Sequence, residues 1–232
     1  MSQKVISSWT AAAERKVLHW FAARLPAWVT PNMLTATGAV GGAMCFAGYG
    51  LSELSSRWLL LSCVGIVIHW FGDSLDGTVA RLRQIERPRF GMFLDQTVDI
   101  FTVTLIFIGL GLSPWVRIEV ACFFVIGYLM LVALTHLRCN VTGTYDIAYG
   151  RLGPTEGRLI LLALTVLMLL VRPFATTTWP VPMTSFDHVF LGIATWTVVS
   201  YVMASWKVLR GLAREEPPRR WAGAQRRSPP GG

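Results

Sequence analysis

Charge is what this 232-residue sequence has least of: 15% of its residues are Asp, Glu, Lys or Arg, against 53% apolar. Soluble domains reach a similar apolar share but carry about a quarter charged residues. The shortage excludes intrinsic disorder, which needs high charge and little apolar surface, and it fits a soluble enzyme poorly. Cysteine is scarce too. Cys45, Cys63, Cys122 and Cys139 stand far apart with no CxxC pair, which excludes a disulfide scaffold or a zinc-finger spacing and leaves them as small apolar filler. No repeat of the ~20–50-residue kind recurs. Glu14, Arg15, Lys16 and His19 interrupt the N-terminal region, so no secretory signal is expected there.

What the sequence does have is apolar residues in long runs. Between clusters of Lys and Arg lie stretches of about 18 residues or more, enough for a helix to cross a bilayer core of about 30 Å. Six spans are predicted, at 33–52, 58–82, 91–112, 116–138, 156–172 and 187–206. They use up the chain and leave no room for a separate soluble domain. The expected fold is an all-α membrane protein, a six-transmembrane-helix bundle. Residues 4–25 add an amphipathic surface helix, because Val5, Trp9, Ala13, Val17, Trp20 and Phe21 recur at helical spacing with Lys4 and Arg15 opposite. Pro26 and Pro31 break that helix, and Thr30 can cap the next. The chain therefore divides into a surface helix and lead-in loop (1–30), a transmembrane domain (31–206) and a basic, Pro/Gly-rich tail (207–232) expected to be disordered.

The few charges orient the bundle. With six spans both termini share a side, and that side collects 18 of the 21 Lys and Arg residues; only Arg57, Arg117 and Arg172 lie opposite. This bias predicts cytoplasmic termini. It also accounts for the net charge of +8 without a nucleic-acid partner, since basic loops face anionic headgroups. Membrane lipids are the expected surroundings.

Acidic side chains inside apolar spans are costly and mark functional sites. Asp73 and Asp76 leave the second span, and Asp95 and Asp99 open the third. Spacings of three and four place each pair on one helix face. A short loop at 83–90 makes the two helices antiparallel neighbours, so all four carboxylates are expected to converge at the cytoplasmic end. They would repel one another unless cations neutralised them, and hard divalent ions take carboxylate oxygens. Gly77 leaves space for a ligand near the helix, and Arg81 can offer a planar fork to a phosphate. A cation channel or transporter would instead spread its acids through the depth of the bundle. An arginine beside the acids also fits a cation path poorly.

The stretch Asp73-Ser74-Leu75-Asp76-Gly77-Thr78-Val79-Ala80-Arg81, followed by Gly91-Met92-Phe93-Leu94-Asp95-Gln96-Thr97-Val98-Asp99, resembles the signature of the CDP-alcohol phosphotransferases, D-x2-D-G-x2-A-R, a spacer, then G-x3-D-x3-D. Every fixed position is present. The spacer 82–90 has nine residues where the family commonly has eight. Thr30-Pro31-Asn32-Met33-Leu34-Thr35 is similar to the family's approach to its first span, so the resemblance covers about residues 4–206.

The resemblance implies that Asp73, Asp76, Asp95 and Asp99 bind two divalent cations, Mg²⁺ or Mn²⁺. Asp99 would also be the catalytic base for the acceptor hydroxyl. Gly77 and Ala80 would line the cytidine pocket, Arg81 would hold the diphosphate and Asn32 would close the nucleotide site. The implied reaction joins a CDP-linked alcohol to an acceptor hydroxyl and releases CMP, in phospholipid synthesis by a homodimer.

Substrates divide the family. CDP-diacylglycerol with a polar alcohol (glycerol 3-phosphate, inositol or serine) would call for extra cations, and Arg138, Arg151 and Arg158 are available. The alternative is a choline/ethanolamine-type enzyme acting on a lipid hydroxyl. The run Gly153-Pro154-Thr155-Glu156-Gly157 looks like one in those enzymes, although Gln96 stands where they tend to have His. Thr155 can cap the fifth span, with Glu156 and Arg158, together with Gln96, as the candidates to meet the acceptor or a headgroup. His69 reads as a core histidine bonded to a neighbouring helix. The chain is shorter than the ten-span eukaryotic amino-alcohol enzymes, which points to a prokaryotic cytoplasmic membrane with the active site at its cytoplasmic face.

Overall fold

Helix starts are written in the sequence. Helix α1 spans Ala11–Arg24, and α2 (Pro31–Leu51) begins where the Thr-Pro pair predicts: the Thr30 hydroxyl accepts the Met33 amide at 3.3 Å, with Pro31 in the first turn. A 3₁₀ turn, Ser56–Trp58, leads into α3 (Leu59–Leu82), and α4 (Pro88–Gly111) again starts at a proline. Then follow α5 (Ile118–Thr142) and α6 (Pro154–Leu170). A two-stranded antiparallel hairpin, β1 (Ala175–Thr177) and β2 (Met183–Thr184), leads to α7 (Ser185–Glu215). This computed structural model describes residues 11–142, 154–171, 175–177 and 181–216. Outside them lie Lys4, Val5 and Trp9 of the expected surface helix, Arg151 and Gly153, Arg172, Pro173 and Pro180, and residues 217–232.

Among the described residues, four segments are long and apolar enough to cross a membrane: Ser56–Leu82, Pro88–Gly111, Ile118–Thr142 and Ser185–Glu215. The protein is an all-α integral membrane protein apart from the small hairpin. The other two predicted spans fall short of that measure. Helix α6 has 17 residues, and α2 is diluted by Gly38, Gly41, Gly42, Gly48 and Gly50.

Those glycines organise the bundle. A side chain at Gly41 would collide with the backbone of His69 and Gly65, and one at Gly72 with the backbone of Leu34 and Gly38. Helices α2 and α3 therefore meet backbone to backbone, the approach that small residues permit. On its other side α2 packs on α4, where Gly42 receives Thr102 and Gly109 receives Phe46. Here the structure corrects the sequence reading. Helices α3 and α4 are consecutive, but neither makes its main contact with the other; α2 lies closely against both. The glycine-rich face of α2 fits closely enough to wedge between them. Pro88 is also the first residue of α4 rather than part of the loop.

Two apolar cores result. Cys45, Tyr49, Leu59, Ile66, Leu110 and Phe190 belong to the larger one, deep in the bundle. The smaller one joins Leu18 and Ala22 of α1 to Leu75 and Val79 of α3, near Val29 and Leu34. On α1, Leu18 and Ala22 are buried against α3, while Val17 and Trp20 of the expected surface stripe stay exposed. Glu14, on the same stripe as Leu18, fastens that face: its Oε1 accepts bonds from Trp70 Nε1 at 3.2 Å and Ser74 Oγ at 3.5 Å. Arg83 ties down the loop that follows, its guanidinium donating to the carbonyls of Leu25, Pro26, Ala27 and Val29.

At the opposite end, Thr184 and Asp187 form a reciprocal capping box for α7, and buried Asp187 also accepts the Arg117 amide at 2.7 Å. Helix α7 continues to Glu215, past the expected boundary at 206, because no breaker occurs before Pro217.

Gly72→Ala should lower the thermal midpoint of the purified protein by the equivalent of about 1–3 kcal/mol of overpacking. Gly192→Ala, whose added methyl meets nothing within 4 Å, should leave the melt unchanged or raise it slightly.

Candidate active site

Helix α3 delivers Asp73 and Asp76 on its last three turns, and α4 delivers Asp95 and Asp99 on its third and fourth. Because α2 separates the helix axes, the side chains meet across a cleft. Thr35, Gly38, His69, Asp73, Asp95, Val98 and Asp99 line it. Asp73, Asp95 and Asp99 each bring a carboxylate oxygen within 4.8 Å of the other two. Three hard oxygen donors so close suit Mg²⁺ or Mn²⁺, so the residues fit a divalent cation.

Asp76, expected in that group, is turned aside. Its Oδ2 accepts the Thr35 hydroxyl at 2.6 Å and its Oδ1 accepts the Gly77 amide, and the side chain is buried. It remains within electrostatic range of Asp95 and Asp73. The physical cause is the closeness of α2, which brings Thr35 within reach of α3. Thr35 was not singled out by sequence reasoning, although it closes the Thr-Pro-Asn-Met-Leu-Thr run.

Arg158 of α6 enters the same cleft. Its Nη2 stands 2.5 Å from Asp73 and 4.0 Å from Asp99. Glu156 is half-buried on the first turn of α6. Thr155 does not cap that helix, which already begins at Pro154; its hydroxyl donates to Glu14 at 2.7 Å instead. Gln96 is half-buried beside Asp95, its Nε2 3.5 Å from Oδ2. Arg81 is exposed, reaching only Thr78 at 3.5 Å, next to half-buried Gly77 and Ala80. Asn32 is exposed on the first turn of α2.

His69 sits as expected, buried, with Nδ1 bonded to the Gly38 carbonyl at 3.2 Å. His136 bonds back to the Val132 carbonyl of its own helix. Tyr128 of α5 lies in the field of Asp99, Arg158, Asp73 and Asp95. A lone tyrosine in an apolar run carries no sequence signal, and neither does Glu14, which is distant in sequence from everything it touches.

A helical bundle in the membrane with a carboxylate cleft at the end of two of its helices defines a class: polytopic membrane proteins with clustered acids that could bind a divalent cation. Within that class the sequence is specific. Residues 28–200 match the CDP-alcohol phosphatidyltransferase family, and the chain belongs to it. It is 31% identical over 122 residues to archaetidylinositol phosphate synthase of Pyrococcus horikoshii, covering 53% of this chain and 61% of that protein. It is 34% identical over 90 residues to phosphatidylinositol phosphate synthase of Cutibacterium acnes, covering 39% and 41%. It is 26% identical over 175 residues to cholinephosphotransferase 1 of Gallus gallus, covering 69% and 48%. The matched region thus spans less than two thirds of each of these relatives.

Thr35→Val should remove a bond to a buried carboxylate and lower stability by about 1–3 kcal/mol, read as a lower thermal midpoint. Thr37→Val, whose exposed hydroxyl bonds only to the Met33 carbonyl of its own helix, should melt like the wild type.

Proposed function

We propose that the protein is a divalent-metal-dependent transferase that joins a CDP-linked alcohol to an acceptor hydroxyl and releases CMP, in phospholipid synthesis. The carrying observation is the approach of Asp73, Asp95 and Asp99 within 4.8 Å, where the two halves of the family signature face each other. Asp73, Asp76, Asp95 and Asp99 would hold two divalent cations, Asp76 after releasing Thr35. Bound there, the cations would neutralise the carboxylates and make CMP a better leaving group.

The chain's own groups do the rest. Gly77 and Ala80 leave room for the cytidine, Arg81 holds the diphosphate, and Asn32 closes the site from α2. Asp99 accepts the proton of the acceptor hydroxyl as its oxygen bonds to the phosphorus carrying the alcohol. The bond from that phosphorus to the CMP oxygen breaks, and CMP leaves with the electron pair. Acceptor and leaving oxygens must lie in line, so holding them is most of the catalysis.

The favoured substrates are CDP-diacylglycerol and a polar, phosphorylated alcohol. The names of the two inositol phosphate synthases support this reading, and so does Arg158 in the cleft, with Glu156 beside it to orient the acceptor. The second reading, a choline/ethanolamine-type enzyme, is favoured by the Gly153–Gly157 run and by the chicken relative, and disfavoured by Gln96. On this reading the enzyme is a homodimer with six spans in a prokaryotic membrane, and the 18 Lys and Arg residues on one side support placing its termini and active site at the cytoplasmic face.

Purified protein incubated with a panel of CDP-alcohols and acceptors should release CMP only with Mg²⁺ or Mn²⁺, and the product mass identifies the lipid. Asp95→Asn and Asp99→Asn should cut CMP release by roughly 100-fold or more, with exposed Glu53→Gln unaffected. Undiminished release from the Asn variants rules the mechanism out. With the native cysteines replaced by alanine, a membrane-impermeant maleimide should label Glu53→Cys in intact cells, and Glu86→Cys only after permeabilisation. The reverse pattern, or labelling of both, rejects the orientation.

A further inference from the structure

Arg158 stands where a bound cation would have to compete with it. Its guanidinium lies 2.5 Å from Asp73 and 4.0 Å from Asp99, with 15% of the side chain exposed. Asp73 and Asp99 are two of the three carboxylates that converge within 4.8 Å. An arginine keeps its charge at any accessible pH and presents donors in a rigid fork. The Asp73 oxygen engaged by Nη2 has given up a lone-pair direction that metal coordination uses, and guanidinium and metal repel each other in a cleft of low dielectric.

Helix α6 itself is not free to withdraw. Thr155, one turn before Arg158, donates to Glu14 at 2.7 Å, and the same Glu14 oxygen accepts from Trp70 and from Ser74, the neighbour of Asp73. The backbone that bears Arg158 is thus tethered to the backbone that bears Asp73. What can move is the long, rotamer-rich side chain.

We propose that Arg158 is a built-in counter-cation: it holds Asp73 and Asp99 in the metal-free protein and gives them up to a divalent cation, so guanidinium and metal occupy these carboxylates in alternation. Without the metal, Arg158 keeps the acids from repelling one another and the helices from parting. With the metal, its fork swings free within the cleft and becomes available to an anionic group of a substrate. Cation binding then precedes full anion binding. The inference rests on the metal-binding reading above.

The test is Mn²⁺ binding to purified protein in nanodiscs, without nucleotide or acceptor, followed by loss of the free-Mn²⁺ electron paramagnetic resonance signal. Arg158→Gln should bind Mn²⁺ at least about tenfold more tightly than wild type, about 1.4 kcal/mol. Its metal-free form should melt below the wild type, with the gap closing as Mn²⁺ saturates. Arg158→Lys keeps the charge but loses the fork, so its affinity should rise by a smaller factor; it decides the matter if the Gln variant does not fold. Wild-type binding with no gain in either variant overturns this inference and leaves the metal reading standing. Folded wild type and variants that all fail to bind Mn²⁺ overturn both.

Discussion

Two helices that touch backbone to backbone set the geometry of everything around them. Gly41 and Gly65, with Gly38 and Gly72 a turn or two further along, let the backbones of α2 and α3 touch at these positions. Contacts of this kind do not rest on the hydrophobic effect, which is weak between helices already in lipid; they rest on close packing and polar bonds. From the approach follow the Ser62 hydroxyl on the Cys45 carbonyl, His69 on Gly38 and Thr35 on Asp76. The same wedge keeps α4 off α3 and opens the cleft that the carboxylates face. A larger residue on that seam would move the site before it moved the core.

Charge balance is the second constraint, and it acts within the space the first provides. Three carboxylates within 4.8 Å, in a protein surrounded by lipid, need positive charge or hydrogen bonds on most of their oxygens. Arg158 supplies charge from α6, while Thr35 and the Gly77 amide satisfy Asp76. These groups come from α6, α2 and α3, and Gln96 of α4 adds its amide beside Asp95. The site is therefore an assembly of α2, α3, α4 and α6, with α1 fastened on by Glu14 and Arg83.

Much of this was legible in one dimension. Apolar runs of membrane length, the Thr-Pro start of α2 and the two aspartate pairs are local patterns, set by bilayer thickness, helix capping and the cost of burying charge. The family signature is local as well, which is why its residues could be named individually. Illegible were contacts between residues far apart in the chain. Nothing in the sequence marks Glu14 as a partner of Thr155, or Arg83 as the clamp on the carbonyls from Leu25 to Val29, because a hydrogen bond leaves no periodicity behind it. The surface helix shows the same limit: its apolar residues were visible, but not that Leu18 and Ala22 would pack against α3.

By itself the sequence determined that the chain lives in a membrane, where its helices begin, and which acids stand out as site candidates, since each depends on composition or spacing within a single helix. Which helices are neighbours, which three of the four carboxylates meet, and that an arginine from α6 stands among them were decided by tertiary structure alone. Those outcomes depend on how closely two backbones can approach, and that distance is a property of a pair of surfaces rather than of either strand of sequence.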